Sequence, residues 1–155
     1  MKKAIFPGSF DPITLGHKNI IEKALLLFDK IVIGIGENDS KNNLLTIRKR
    51  ILLLEKCFNK NPKIEILTYQ GLTIDFCIKE NIKFIIRGVR DCIDFEYEKK
   101  MSFMNEDLND TITTFLIPCS KEFSGVSSTL IKSLIQNNGN YSKFIPLEIK
   151  NEPFS

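Results

Sequence analysis

Residues 3 to 37 read KAIFPGSFDPITLGHKNIIEKALLLFDKIVIGIGE, and the order of elements in this stretch decides the fold. Lys3 to Phe6 is a short apolar run that predicts a buried strand. From Thr14 to Phe28, the residues Ile20, Ile21, Ala24, Leu25 and Phe28 recur at helical spacing. KIVIGIGE (30–37) is then a nearly unbroken β-branched run, the pattern of a strand covered on both faces. Strand, helix and strand in succession predict two parallel strands joined by a crossover helix.

The same alternation continues to the end. ENDSKNN (37–43) is a polar loop, and Thr46 is placed to cap a helix over TIRKRILLLEKCF (46–58). KIEIL (63–67) is a third strand and GLTIDFCIKEN (71–81) a short helix. KFIIRG (83–88) is a fourth strand, Asp91 to Leu108 a longer helix, TTFLIP (113–118) a fifth strand, and Ser127 to Asn137 a last helix. The prediction is an α/β chain: a doubly wound, parallel, five-stranded sheet with helices on both faces, in a single domain over residues 1–155. The closing IPLEIKNEPFS (145–155) loses periodicity and is expected to fray.

Composition narrows the function classes. The chain has 155 residues, 43% hydrophobic and 26% charged, enough apolar material for one real core. A net charge of +3 is too mild for a dedicated nucleic-acid binder, yet suits a small anionic ligand if the cations converge. No apolar run reaches membrane-spanning length, and KKAIF is too short for a signal-peptide core, so a cytoplasmic protein is expected. The four cysteines, Cys57, Cys77, Cys92 and Cys119, form no CxxC pair, and one histidine cannot complete a zinc set. They read as buried free thiols in a reducing compartment.

In a doubly wound sheet, ligands bind beyond the carboxyl ends of the strands. Polar residues gather at those ends here. Ser9 follows the first strand, Lys41 the second, Arg87 and Arg90 the fourth, and Ser127, Ser128 and Thr129 the fifth. His17, the only histidine, falls in the first turn of the first helix, where free amides and the positive dipole end favour an anion. Each feature alone has an ordinary structural explanation, such as a turn, a cap or a surface ion pair. Their joint placement on one rim points to polyphosphate. The chain has no GxxxxGK[ST] loop, no complete GxGxxG fingerprint and no nucleophile elbow.

GSFDPITLGH resembles the signature of the nucleotidylyltransferase superfamily, whose (H/T)xGH motif is Thr14-Leu15-Gly16-His17 here. GVSSTLIK resembles that superfamily's second motif at a helix start. DSKNN around Lys41, IIRGVRDCIDFEYE (85–98) and PCSKEFSGVSST (118–129) are most similar to the phosphopantetheine adenylyltransferase family, over residues 3 to about 147. The resemblance implies a Rossmann-like, dinucleotide-binding fold. It also implies transfer of the adenylyl group of ATP to 4'-phosphopantetheine, giving dephospho-coenzyme A and pyrophosphate. Mg²⁺ would arrive with ATP, coenzyme A would be a feedback inhibitor, and the assembly would be a homohexamer.

By the same resemblance, His17, Lys41 and Arg90 would be the catalytic set. Ser9, Lys41, Thr73 and Arg87 would hold the acceptor substrate. Ser9, Phe10, His17, Gly88, Val89, Arg90, Glu98 and the run Phe123, Ser124, Gly125, Val126, Ser127, Ser128 and Thr129 would contact the nucleotide. Ser9 stands where threonine is frequent in the family, Phe123 where tryptophan is common, and Thr73 where a larger apolar residue is usual. No acidic cluster suggests a metal cage built by the protein.

Three other readings fit these residues less well. Another small-molecule nucleotidylyltransferase, for instance one acting on nicotinate mononucleotide, is disfavoured by Thr14 and by the RGVRDCIDFEYE block. A non-catalytic ATP-binding module is disfavoured by the intact set of His17, Lys41 and Arg90. An aminoacyl-tRNA synthetase fragment ranks lowest, because KKMSF (99–103) falls within a helix and lacks a second lysine. The helix from 91 to 108 carries Ile93, Tyr97, Met101, Met104 and Leu108 on one stripe, with Cys92, Phe95 and Phe103 roughly opposite. Two apolar faces suggest packing on the chain's own core and on another subunit.

Overall fold

A computed structural model describes residues 1–37, 42–58 and 61–154. Five strands, β1 (Lys3–Gly8), β2 (Lys30–Gly36), β3 (Ile64–Tyr69), β4 (Phe84–Val89) and β5 (Thr113–Pro118), form one sheet in the order β3-β2-β1-β4-β5. Every neighbouring pair is parallel. The helices between them are α1 (Leu15–Ala24), α2 (Ile47–Phe58), α3 (Thr73–Lys79) and α4 (Cys92–Leu108), and α5 (Ser128–Gln136) follows β5.

The β-branched runs explain the layering. Side chains alternate across a strand, so Ala4, Phe6, Ile31, Ile33 and Ile35 enter one core with Ile20, Ile21 and Ala24 of α1 and Leu53 and Leu54 of α2. Ile5, Val32 and Ile85 point the other way, against Ile74, Phe76 and Cys77 of α3. Two cores on two faces make the sheet doubly wound. Two glycines in this sheet are required by close approach. A Cβ on Gly34 would lie 2.6 Å from Ile5 Cδ1, and one on Gly88 would lie 2.9 Å from Ile20 Cγ1, so α1 can settle onto β4.

The order of strand addition reverses at β1, which lies between β2 and β4. β1 pairs with β2 over six residues but with β4 only at Ala4↔Phe84 and Ile5↔Ile85. Beyond Ile5 the two strands no longer form a ladder, and their carboxyl ends flank a crevice. This is the topological switch point at which open α/β sheets bind ligands.

Four sequence expectations differ from the structure. The first helix ends at Ala24 and continues only as turns, since Leu25 to Leu27 have left the α-helix and Leu26 faces solvent. Residues 145–154 of the closing segment pack on the fold instead of fraying. Ile145, Ile149 and Phe154 are buried, and the Phe154 ring packs edge-on against Tyr141 at 5.2 Å. Its periodicity is absent because its apolar residues plug gaps one at a time rather than forming a face. Glu148 pairs with Lys18 at 2.6 Å, and Glu152 pairs with Lys49 and Lys56, which ties this tail to α1 and α2. The cysteines also divide: Cys57 and Cys77 are buried, Cys92 is exposed and Cys119 is half-buried.

Helix α4 departs from the two-faced expectation. Glu98 is its only buried residue, and Phe95 and Phe103 are exposed along with Ile93, Tyr97, Met104 and Leu108. Among the described residues, no helix is long and apolar enough to cross a membrane.

Candidate active site

The crevice is a cleft of about 670 Å³. Its walls come from the ends of the five strands and from two helix starts. Gly8 and Ser9 follow β1, Gly36 and Glu37 end β2, and Arg87 and Gly88 lie in β4. His17 comes from α1, and Ser127, Ser128 and Thr129 come from the start of α5. Arg90, Glu98 and Val126 also line it.

His17 is placed by its own helix cap. Thr14 is the residue before α1, in extended conformation, and its Oγ1 accepts the His17 amide at 3.2 Å. In return the Thr14 amide donates to His17 Nδ1 at 3.2 Å. This is a reciprocal capping box in which histidine takes the place usual for glutamate or glutamine. A nitrogen that accepts a backbone N–H cannot carry a proton, so the neutral ring is protonated at Nε2. Burial, followed by the charges of Arg90 and Arg87, pushes the imidazole pKa down to about 4. His17 is therefore a neutral donor whose free N–H is Nε2–H. The Phe10 ring stands edge-on to it at 5.0 Å and the Phe6 ring at 6.0 Å, which excludes water from that side.

Arg87 bridges the crevice. Its Nε and Nη2 donate to the two carboxylate oxygens of Glu98 at 2.6 and 2.7 Å. Its Nη1 donates to the Pro7 carbonyl at 3.1 Å. In the β1–β4 register Pro7 falls opposite Arg87, where backbone pairing has ceased. A side chain thus spans the gap that the backbone leaves open. Arg90 is held in the same manner, with Nε and Nη2 on Asp94 at 2.6 and 3.1 Å. That pair lowers the Asp94 carboxyl below its ordinary range and raises the Arg90 guanidinium. Both arginines are oriented from α4.

The loop from 8 to 14 is fixed from several sides. Phe10 adopts a left-handed backbone (φ +46°), which burial of its ring stabilises against a cost of about 1–2 kcal/mol. Arg50 Nη1 donates to the Ser9 carbonyl at 2.9 Å, and Ser128 Oγ donates to the Pro12 carbonyl at 2.8 Å. Ser127 Oγ caps α5 by accepting the Leu130 N–H at 3.1 Å, and Ser127, Ser128 and Thr129 at that helix start line the cleft.

Of the residues singled out in the sequence, Ser9, His17, Arg87, Gly88, Arg90, Glu98, Val126, Ser127, Ser128 and Thr129 come together on the cleft wall. Phe10 lies behind His17 instead of on the surface. Val89, Phe123, Ser124 and Gly125 do not line the cleft; the carbonyls of Phe123 and Val126 lie close over Gly16 and hold this segment near α1. Thr73 is hydrogen-bonded to Tyr69 Oη at 2.8 Å, and it is Gly71, two residues earlier, that reaches the wall. Lys41 lies outside the described residues.

Sequence reasoning missed Asp11, Arg50 and Asp94. The T-x-x-H spacing of residues 14–17 is the sequence signal of the cap. Asp94 stands in the first turn of a helix, four residues after Arg90, a spacing that could also have suggested the pair. Among the described residues no three His, Cys, Asp or Glu side chains converge as a metal site. The carboxylates of Glu98 and Asp94 are committed to arginines.

Comparison with known proteins agrees with this geometry. Residues 5–134 match the cytidylyltransferase-like family model. A phosphopantetheine adenylyltransferase of Flavobacterium johnsoniae is 42% identical over 146 residues, covering 94% of this chain and 95% of that protein. One from Bacteroides thetaiotaomicron is 43% identical, with 94% and 96% covered. A crystal structure from Vibrio parahaemolyticus, of a protein assigned as a nicotinate-nucleotide adenylyltransferase, superposes with a TM-score of 0.67. It covers 100% of this chain and 99% of that one, and at 19% identity the likeness is one of fold alone. The strand order, the capped histidine and near-full-length identity above 40% agree, and the chain belongs to the phosphopantetheine adenylyltransferases within the cytidylyltransferase-like family.

Proposed function

We propose that this chain transfers the adenylyl group of ATP to 4'-phosphopantetheine, releasing pyrophosphate and forming dephospho-coenzyme A. The observation that carries the reading is the capped His17, which offers an Nε2 donor to a cleft flanked by Arg87, Arg90 and the start of α5. Homologues above 40% identity, named for this reaction, support the choice of acceptor.

The chemistry needs no general base. The nucleophile is a phosphate monoester whose second pKa is about 6, so it is mostly a dianion at neutral pH. What must be supplied is alignment of two anions and support for the charge that builds on the α-phosphate and the departing pyrophosphate. His17 Nε2–H donates to that charge without adding a proton to the balance. Arg90 and the α5 amides face the nucleotide half of the cleft, next to Gly88. Ser9 stands where the two substrates meet, and Arg87 faces the acceptor phosphate. Lys41 completes the set of cations in this proposal. Mg²⁺ enters as part of the nucleotide substrate and supplies further charge neutralisation on its phosphates.

Three further features belong to the proposal. Coenzyme A, which contains the adenylyl and pantetheine parts together, would compete at the same cleft as a feedback inhibitor. The exposed apolar face of α4 would be covered in a homohexamer. The working compartment would be the cytoplasm.

The test is pyrophosphate release with Mg-ATP and 4'-phosphopantetheine, the product being identified by mass, with nicotinate mononucleotide as the competing acceptor. Dephospho-coenzyme A formed from the first acceptor alone is the expected result. ATP binding without turnover on either acceptor would overturn the reading.

A further inference from the structure

We propose that Asp11 and Lys132 form a positioning clamp that sets the acceptor-side wall of the cleft. The inference rests on the adenylyl-transfer reading for its kinetic consequence and on the hydrogen-bond geometry for its existence. Neither residue lines the cleft itself.

The Asp11 carboxylate is completely buried. Its Oδ2 accepts the Leu44 amide at 2.8 Å and its Oδ1 accepts the Leu45 amide at 2.8 Å. Lys132, on α5, places Nζ 2.7 Å from Oδ2 and 3.5 Å from the Asn42 carbonyl. One carboxylate therefore joins three segments distant in sequence: the loop after β1, the chain entering α2, and the second turn of α5. Ser128, one turn before Lys132, closes the ring through its bond to the Pro12 carbonyl.

A buried ion pair is a poor device for stability alone, because desolvation offsets most of its attraction. What it fixes well is geometry. Two backbone N–H groups and one ammonium satisfy Asp11 in a single arrangement, so the segment 42–45 has one register against the loop that carries Ser9. Asn43 of that segment lines the cleft together with Glu37 after β2 and Gly71 after β3, strands that lie on the other side of β1 from β4 and its Gly88. The clamp thus acts on the half of the cleft that faces the acceptor. Asparagine at position 11 could accept only one of the two amides and would turn its own N–H₂ toward the other.

The test uses the full chain as wild type, Asp11→Asn, Lys132→Met, Lys132→Arg and the double variant Asp11→Asn/Lys132→Met. Hydrogen exchange at the Leu44 and Leu45 amides reads the clamp directly, and KM for each substrate reads its consequence. Lys132→Met should speed exchange at 42–46 while β1 and β2 stay protected. It should raise KM for 4'-phosphopantetheine roughly tenfold to a hundredfold, the scale on which a displacement of about 1 Å acts. KM for ATP should stay near wild type, Lys132→Arg should restore the acceptor KM, and the double variant should be no worse than Asp11→Asn. Unchanged exchange at 42–46 in Lys132→Met would overturn the clamp. So would a parallel rise in both KM values with loss of protection across the sheet, which is the result of a merely structural pair. A wild-type chain that makes no dephospho-coenzyme A would sink the proposed function alone, and the exchange experiment would still decide the clamp.

Discussion

Thr14 and His17 cap each other, each amide donating to the other's side chain at 3.2 Å. The helix start and the tautomer of the site histidine are therefore one feature. This separates two roles that an alanine substitution would confound. His17→Gln keeps the cap, since glutamine is an ordinary partner at that position, so the melting temperature should move little. Turnover should fall by about 10²–10³, as expected for loss of a donor to transition-state charge. ATP affinity, measured by calorimetry, should fall far less. Near-normal turnover in His17→Gln and His17→Ala would remove His17 from the chemistry.

The same residue gives a pH prediction. The folded-state pKa of about 4 lies below the ordinary 6.5, so a neutral His17 is part of the native state. Its contribution to stability is complete above about pH 6.5 and is lost as pH falls toward about 4. The size is about 3 kcal/mol from the shift between those values. Urea denaturation from pH 7 to pH 4 should show this loss, and His17→Gln should lack it. The acid limb of kcat/KM for the acceptor should instead follow the phosphate of the nucleophile, near pH 6. An acid limb that moves when His17 is replaced would show that the ring titrates in the reaction.

Arg87 gives a second test. Three of its five N–H donors go to Glu98 and the Pro7 carbonyl, so it needs a planar fork. Arg87→Lys keeps the charge and loses the fork, and should lower kcat/KM at least about tenfold, the value of one to two charge-assisted hydrogen bonds. Glu98→Gln should have an effect in the same direction through Arg87, and the two substitutions together should not add. Additive losses in a double-mutant cycle would mean that Glu98 acts on the nucleotide independently of Arg87.

The elements were legible in the sequence because the strands are short apolar runs between polar loops and α1, α2 and α5 each bury an apolar stripe. β5 has the bounds that TTFLIP predicts, and Thr46 caps α2 through the Lys49 amide at 3.2 Å. The rim residues were legible as well, because a parallel sheet carries every strand end to one edge. What sequence could not give were the pairings made only after folding. Asp11 reads as part of a turn, yet it meets residues 33, 34 and 121 positions away. Arg50 stands in a run of three cations (48–50) that does not distinguish it, yet it is buried and holds the Ser9 carbonyl. The tail was misread because Ile149 and Phe154 are buried singly, and isolated contacts leave no period.

Gly88 tests how tightly α1 sits on the sheet. A methyl group there would come within 2.9 Å of Ile20 Cγ1. Gly88→Ala should destabilise the fold by about 1–3 kcal/mol through overpacking. Ile20 also lines the cleft, so activity should fall together with stability. Ile20→Val alone should cost about 1 kcal/mol, the usual effect of one lost core methyl group. Combined with Gly88→Ala it removes only the Cδ1 contact at 3.3 Å and keeps the one at Cγ1, so most of the loss should remain. A Gly88→Ala protein with unchanged midpoint in urea would show that α1 can shift without cost.

Helix α4 joins the site to the proposed assembly. Its inward residues Glu98 and Asp94 hold Arg87 and Arg90, while Ile93, Tyr97, Met104 and Leu108 face outward. In an isolated chain, Ile93→Glu would be a surface change worth no more than about 0.5 kcal/mol. Ile93 is 82% exposed in this chain, so any larger effect must come from another subunit. Sedimentation of the wild type at micromolar concentration should show an oligomer, and Ile93→Glu should shift it to smaller species with unchanged far-ultraviolet circular dichroism. Turnover should drop with dissociation, because α4 freed from its neighbours holds the two arginines less firmly. A wild-type monomer with full activity would remove the assembly from the mechanism and leave the outer face of α4 unexplained by it.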